Sequence, residues 1–109
     1  MGNKKLEHLI ALARRDAENG SVSTTCNWLS LAKDYAVREE VPFPQKECDA
    51  IARTAYINGM TYALLQAKQY AQKGMRCPMR SWLCVASTYS SRLSDLLRET
   101  ELGFIQKST

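Results

Sequence analysis

Apolar residues recur at steps of three and four positions along almost the whole of this chain. That spacing places side chains on one face of an α-helix, and strictly alternating β-branched clusters are absent, so the pattern predicts an all-α protein. A first helix is expected from about Lys4 to Asn19, followed by Gly20 in the left-handed conformation that commonly ends helices. The stripe predicted to be buried on this helix consists of Leu6, Leu9, Ile10, Ala13 and Ala17.

The clearest break in the chain separates a second helix from a third. The second is expected to begin near Ser23, because serine commonly caps helix N-termini. Segment 41–44, with the sequence Val-Pro-Phe-Pro, predicts a short extended corner, since a residue that precedes proline is disfavoured in the helical region. The third helix is expected to run from about Pro44 or Gln45 to Lys73.

The third helix is predicted to be one long helix. Its apolar stripe keeps a single phase through Asn58 and Gly59, although a glycine inside a helix costs about 1 kcal/mol. A fourth helix is expected from about Pro78, which suits a first helical position, to a point before Gly103, and the tail 104–109 is expected to fray. The stripe predicted for the third helix is Cys48, Ile51, Ala52, Ala55, Gly59, Met60, Ala63, Leu64, Ala67 and Ala71.

A repeat of 54 residues relates these helices. When the chain is shifted by 54 positions against itself, eight residues in a 26-residue window are identical. The copies extend over about 6–40 and 60–94, which predicts two related antiparallel helical hairpins, joined by the long third helix, in a single domain over 1–109. The identities pair Ala13 with Ala67, Ala17 with Ala71, Gly20 with Gly74, Trp28 with Trp82, Leu29 with Leu83, Ala32 with Ala86, Tyr35 with Tyr89 and Arg38 with Arg92.

Each copy spaces a large aromatic, an aliphatic, a small residue and a tyrosine in the same way. The two segments are Trp28-x-x-Leu31-Ala32-x-x-Tyr35 and Trp82-x-x-Val85-Ala86-x-x-Tyr89. This spacing is similar to the first-helix signature of tetratricopeptide repeats, in which these residue types line one face so that paired helices pack closely. Since the period of that family is about 34 residues, the resemblance implies shared helix packing and carries no functional residue to this chain.

The composition is that of an ordinary globular protein. Of the 109 residues, 45% are hydrophobic and 24% are charged. No apolar run approaches the ~20 residues that span a bilayer, and the N-terminal stretch lacks the unbroken apolar segment of a secretory signal. The sequence therefore predicts a cytoplasmic protein with no membrane partner.

Candidates for catalysis or metal binding are few. The four cysteines include no Cys-x-x-Cys spacing and His8 is the only histidine, so no zinc site is expected. The thiols are interpreted as reduced, partly buried apolar groups. The neighbouring carboxylates at 39–40 and 47–49 suit helix ends, and no glycine-rich phosphate loop is present. The sequence therefore predicts a protein that is not an enzyme and that has no catalytic residue, no metal and no cofactor.

Charge distinguishes the two copies. From Ala50 to Ser94 there is no Asp or Glu and six basic residues give a charge of +6, whereas the first 49 residues carry seven bases and eight acids. A concentration of one sign of charge attracts a partner of the opposite sign. The second half of the chain is therefore the predicted binding half.

The densest basic segment passes through a helix end, a turn and a helix start. Arg76 and Arg80 flank the predicted start of the fourth helix, where the helix dipole disfavours cations. Free backbone N–H groups and guanidinium groups at that place suit a phosphate or carboxylate. The alternative interpretation is that these are solvated surface bases. The residues predicted to bind an anionic partner are Lys68, Tyr70, Lys73, Arg76 and Arg80.

Three functions are compatible with this pattern. The leading prediction is a small helical interaction protein, an adaptor, regulator or inhibitor, whose basic second half binds an acidic protein surface. The alternative is a nucleic-acid-binding protein that uses the same residues, which strong salt dependence would indicate. The third is a structural homodimer built on the third helix.

Overall fold

A computed structural model of the chain describes residues 3–108 and the side chains of residues 3–98. Across this range the backbone forms four α-helices and no strand, so the all-α prediction is confirmed. No helix in the described range is both long and apolar enough to cross a membrane. The helices are α1 (Lys4–Glu18), α2 (Val22–Arg38), α3 (Gln45–Gln72) and α4 (Arg76–Ser108).

A tight turn joins α1 to α2. Gly20 adopts a positive φ of 73°, and its N–H donates to the carbonyl of Ala17 at 3.0 Å, while the N–H of Ser21 donates to that of Asp16 at 2.9 Å. These bonds complete α1, so the chain re-enters a helix at once and Ser21 is the N-cap of α2. The predicted start near Ser23 is therefore wrong by two residues.

The turn between α3 and α4 has the same hydrogen bonds. Gly74 also has a φ of 73°, and its N–H donates to Ala71 at 3.0 Å, while that of Met75 donates to Tyr70 at 2.9 Å. Each bond lies 54 residues from its counterpart in the first turn. Because α4 begins at Arg76, the prediction that Pro78 begins the helix is wrong; proline fits the first turn, where its missing N–H leaves no helical bond unmade.

The long third helix is confirmed. It extends over Gln45–Gln72, 28 residues, and continues through Gly59, which is buried. Segment 41–44 before it is non-helical, as its prolines predict. Glu40, with a positive φ of 54°, ends α2 ahead of this corner.

The fourth helix continues beyond its predicted end. The sequence places that end before Gly103, but the helix reaches Ser108. A single glycine lowers helix stability by about 1 kcal/mol and does not by itself stop a helix. The fraying expected for 104–109 stays a prediction for 104–108, and Thr109 lies outside the described residues.

The chain divides into two compact units, which are considered separately. Unit 1 extends to Asn58 and unit 2 begins at Gly59. In unit 1, α1 and α2 pack against each other, and the first half of α3 belongs to the same unit. Its buried residues are Leu6, Ile10, Ala13, Ala17, Val22, Thr25, Ala32, Ala36, Cys48, Ile51 and Ala55.

Polar contacts attach the first half of α3 to both other helices of unit 1. Arg14 forms an ion pair with Glu47, and the amide of Asn58 donates to the carbonyl of Ala17 at 3.0 Å. On the α2 side, the Cys26 sulfur lies 3.8 Å from the hydroxyl oxygen of Tyr56. The first half of α3 therefore covers the pair formed by α1 and α2.

Unit 2 buries fewer large side chains in its described part. Its buried apolar residues there are Ala63, Ala67 and Ala86, and the rings of Tyr62 and Trp82 meet edge to face with centroids 5.6 Å apart. Small residues and the aromatic pair of Tyr62 and Trp82 therefore contribute to the packing of this unit.

Three predicted core residues lie on the surface. Leu31, expected on the packed face of α2, is 51% exposed, while Leu64 and Ala71, expected in the stripe of α3, are also exposed. Helical periodicity assigns residues to a face of one helix. Burial further requires that another element cover that face, which the pattern does not specify.

Candidate binding surface

The predicted binding residues gather around the turn between α3 and α4. Lys68 and Tyr70 lie in the last turns of α3, and Lys73 lies in the turn itself. Arg76 is the first residue of α4, with Arg80 one helical turn later on the same side. These five residues, all in unit 2, are called the basic surface below.

The four cations of the basic surface are exposed, whereas Tyr70 is half-buried. The ammonium nitrogen of Lys73 lies 5.7 Å from the centroid of the Tyr70 ring, within the range of a cation–π contact. Among the described side chains, the carboxylates in ion pairs are Glu47 and Asp16, both in unit 1. The cations of the basic surface are thus available to a partner.

The first turn of α4 adds a second attraction for anions. Its backbone N–H groups have no acceptor within the helix, and the helix dipole places partial positive charge at this end. Arg76 and Arg80 increase that charge, whereas the residues 54 positions earlier, Val22 and Cys26, are uncharged. A carboxylate at this place meets backbone donors and two guanidinium groups together.

The acids and the histidine of the described range do not assemble into a metal site. No three residues among its His, Cys, Asp and Glu lie close enough together to hold a metal ion. The single histidine, His8, is exposed on α1.

The described cysteines are all free thiols in different environments. Cys48 is buried, Cys26 is half-buried, and Cys77 and Cys84 are exposed. Burial, and after it the neighbouring carboxylates of Glu47 and Asp49, raise the pKa of the Cys48 thiol to about 11. Since the thiolate is the reactive form, Cys48 is the least suited of these thiols to nucleophilic chemistry near neutral pH.

Alkylation is expected to distinguish these thiols. At pH 8 roughly one Cys48 side chain in a thousand is a thiolate when its pKa is about 11. Iodoacetamide should therefore modify Cys77 and Cys84 at least about tenfold faster than Cys48, a difference that peptide mass spectrometry measures. In denaturant the difference should disappear, and equal rates in the folded protein would contradict the burial of Cys48.

Comparisons with known protein families, with curated proteins and with solved structures find no match to this chain. The internal shift of 54 residues is then the available reference for the site. It aligns three cations of the basic surface, Lys68, Arg76 and Arg80, with positions in unit 1. Those positions are Arg14, Val22 and Cys26, of which Arg14 and Cys26 contact the first half of α3 and Val22 is buried.

Sequence reasoning missed the apolar part of this surface. Leu64 lies one turn before Lys68 on α3 and is 47% exposed, while its aligned residue in unit 1, Ile10, is 5% exposed. Ala71, one turn after Lys68, is exposed, whereas Ala17 is buried. The 54-residue shift contains the signal, because it aligns surface residues of unit 2 with residues that are covered in unit 1.

Unit 1 contains a groove that sequence reasoning also missed. It lies between the first half of α1 and the corner at 41–44 and measures about 710 Å³. Leu6, Ile10 and Phe43 give it an apolar lining, and its charged lining residues are Glu7, Arg14 and Glu47. These charges are of both signs, so the groove lacks the one-signed charge of the basic surface.

Proposed function

We propose that this chain is a non-enzymatic, cytoplasmic interaction protein that binds an acidic surface of another protein through the basic surface. The observation that carries the proposal is four exposed cations around one turn, with no carboxylate paired to them among the described side chains. A partner that supplies carboxylates completes these pairs. The class of adaptor, regulator or inhibitor fits such a role.

The comparison of the two halves supports a specific role for unit 2. We regard the halves as copies of one antiparallel hairpin, since both turns have the same hydrogen bonds and the same glycine conformation. At the 54-residue shift the second copy retains the packing residues and lacks the acids. Glu7, Asp16, Glu18, Asp34, Glu39 and Glu40 align with Thr61, Tyr70, Gln72, Thr88, Leu93 and Ser94.

Reversal of two arginines tests this function. The Arg76→Glu/Arg80→Glu protein is expected to capture at least about tenfold less partner from source cells than the unchanged protein does, because like charges then face the acidic surface. The matched control is Arg53→Glu/Arg92→Glu, which makes the same charge change at two exposed helical positions. Far-UV circular dichroism should show unchanged helicity in both proteins.

The same capture distinguishes protein from nucleic acid. When several lysines and arginines bind the phosphates of a nucleic acid, the affinity falls by orders of magnitude between about 50 and 200 mM salt. Nuclease treatment removes such a partner. Capture that persists under both treatments supports an acidic protein. Capture that the Arg76→Glu/Arg80→Glu reversal leaves unchanged would refute a role for the basic surface.

A further inference from the structure

Unit 1 shows how the pair of helices in one copy is covered. The first half of α3 lies over α1 and α2 and buries Cys48, Ile51 and Ala55. Its polar contacts at the edges are the ion pair of Glu47 with Arg14 and the contact of Tyr56 with Cys26 (3.8 Å). The third contact, from Asn58 to the carbonyl of Ala17 (3.0 Å), closes the end of α1.

The aligned face of unit 2 is open to solvent. Leu64, Lys68 and Ala71 lie on α3 at the positions of Ile10, Arg14 and Ala17, and all three are exposed. On α4, Arg76 and Arg80 occupy the positions of Val22 and Cys26 and are exposed as well. These five residues of unit 2 are called the open face below.

The sequence explains why unit 2 does not cover its own face. In unit 1 the corner at 41–44 turns the chain back after α2, because its two prolines exclude a continuous helix. The aligned segment 95–98 reads Asp-Leu-Leu-Arg and contains no proline. Accordingly, α4 continues through it to Ser108, and no corner returns the described chain over the open face.

We propose that the open face binds an acidic amphipathic helix of another protein, in the position that the first half of α3 takes in unit 1. The inference rests on the proposed function and specifies its partner as a helix. A second copy of this chain is a poorer occupant, since its own first half of α3 already covers its own unit 1. Unit 2 also carries Arg76 and Arg80 where unit 1 has neutral residues.

The contacts of unit 1 specify the chemistry of the incoming helix. A carboxylate at the position of Glu47 meets Lys68, which stands in the place of Arg14. Apolar residues one, four and eight positions later, as in Cys48, Ile51 and Ala55, cover Leu64 and Ala71. Nine positions after the first acid a second acid is expected, because Arg80 replaces the cysteine that contacts Tyr56.

A stapled peptide supplies a defined probe. It has the sequence of residues 45–58 with Cys48→Ala and Tyr56→Glu, and a hydrocarbon staple joins positions 46 and 53, which are exposed in unit 1. The staple is needed because isolated helices shorter than about 12–15 residues are marginal in water. Binding to the full chain is followed by fluorescence anisotropy of the labelled peptide.

Replacing Leu64 by lysine distinguishes binding by apolar packing of a helix on the open face from binding by charge attraction alone. The Leu64→Lys change raises the positive charge, so purely electrostatic binding should hold or tighten, whereas a seated helix loses its apolar contact. We expect at least a tenfold weaker affinity, equal to about 1.4 kcal/mol. The matched control is Leu65→Lys, at a neighbouring leucine that is 51% exposed and aligns with the exposed Ala11; its affinity should change less than about twofold.

Three results would overturn the seated helix. They are no binding of the peptide, equal affinities of the Leu64→Lys and Leu65→Lys proteins, and a dimer of the free chain by sedimentation that Leu64→Lys dissociates. In the last case a second copy occupies the open face. None of these results depends on how much partner the Arg76→Glu/Arg80→Glu protein captures, so the proposed function can be correct even if the partner is not a helix.

A peptide with Tyr56→Lys should bind more weakly than the one with Tyr56→Glu.

Discussion

The Ile51→Ala protein is expected to lose about 2–5 kcal/mol of its free energy of unfolding. Ile51 is 5% exposed and lies in the first half of α3, beside Arg14 and Ala17 of α1. Truncation removes apolar contacts and leaves a cavity between helices that cannot fully collapse. Urea unfolding followed by far-UV circular dichroism measures the difference.

The same helix offers a matched control in Ile57. This isoleucine is 43% exposed, so Ile57→Ala removes the same atoms from a surface position and should cost less than about 1 kcal/mol. Equal losses at the two positions would mean that the first half of α3 does not cover α1 and α2. A large loss at Ile51 alone supports the packing from which the open face of unit 2 is inferred.

The helices are the part of the fold that the sequence predicts best. Apolar phase alone specifies the continuity of α3 through Gly59, because a break resets the phase and this stripe does not change. The sequence predicts the starts of α2 and α4 two residues too late. Ser23 and Pro78 are good residues for helix starts, but the turns that Gly20 and Gly74 close already return the chain to a helix.

The sequence predicts the charge of the basic surface but not the exposure of the apolar residues beside it. A count along the chain finds the cations from Lys68 to Arg80, because charge is a property of each residue. The exposure of Leu64 depends on whether a further helix packs over α3, which the apolar pattern of α3 alone does not specify. If the two halves are copies, as we propose, the prolines of 41–44 and their absence from 95–98 account for the difference.

The Val22→Arg protein is expected to lose about 3–5 kcal/mol of stability, since the change places a charge in a buried position without a partner. Val22 is 4% exposed at the first position of α2, and Arg76 occupies the aligned position of α4. The substitution thus gives unit 1 the residue that unit 2 has. Hydrogen exchange read by mass spectrometry should assign the loss of protection to residues before Gly59.

The reciprocal change, Arg76→Val, is expected to leave stability within about 0.5 kcal/mol, because Arg76 is exposed. Removing a cation from the positive end of α4 even favours the helix slightly. The two substitutions at aligned positions should therefore differ several-fold in their cost to stability, because Val22 is buried and Arg76 is exposed. If Val22→Arg is instead as mild as Arg76→Val, then Val22 is not covered in unit 1, and the contrast between a covered face in unit 1 and an open face in unit 2 is lost at this position.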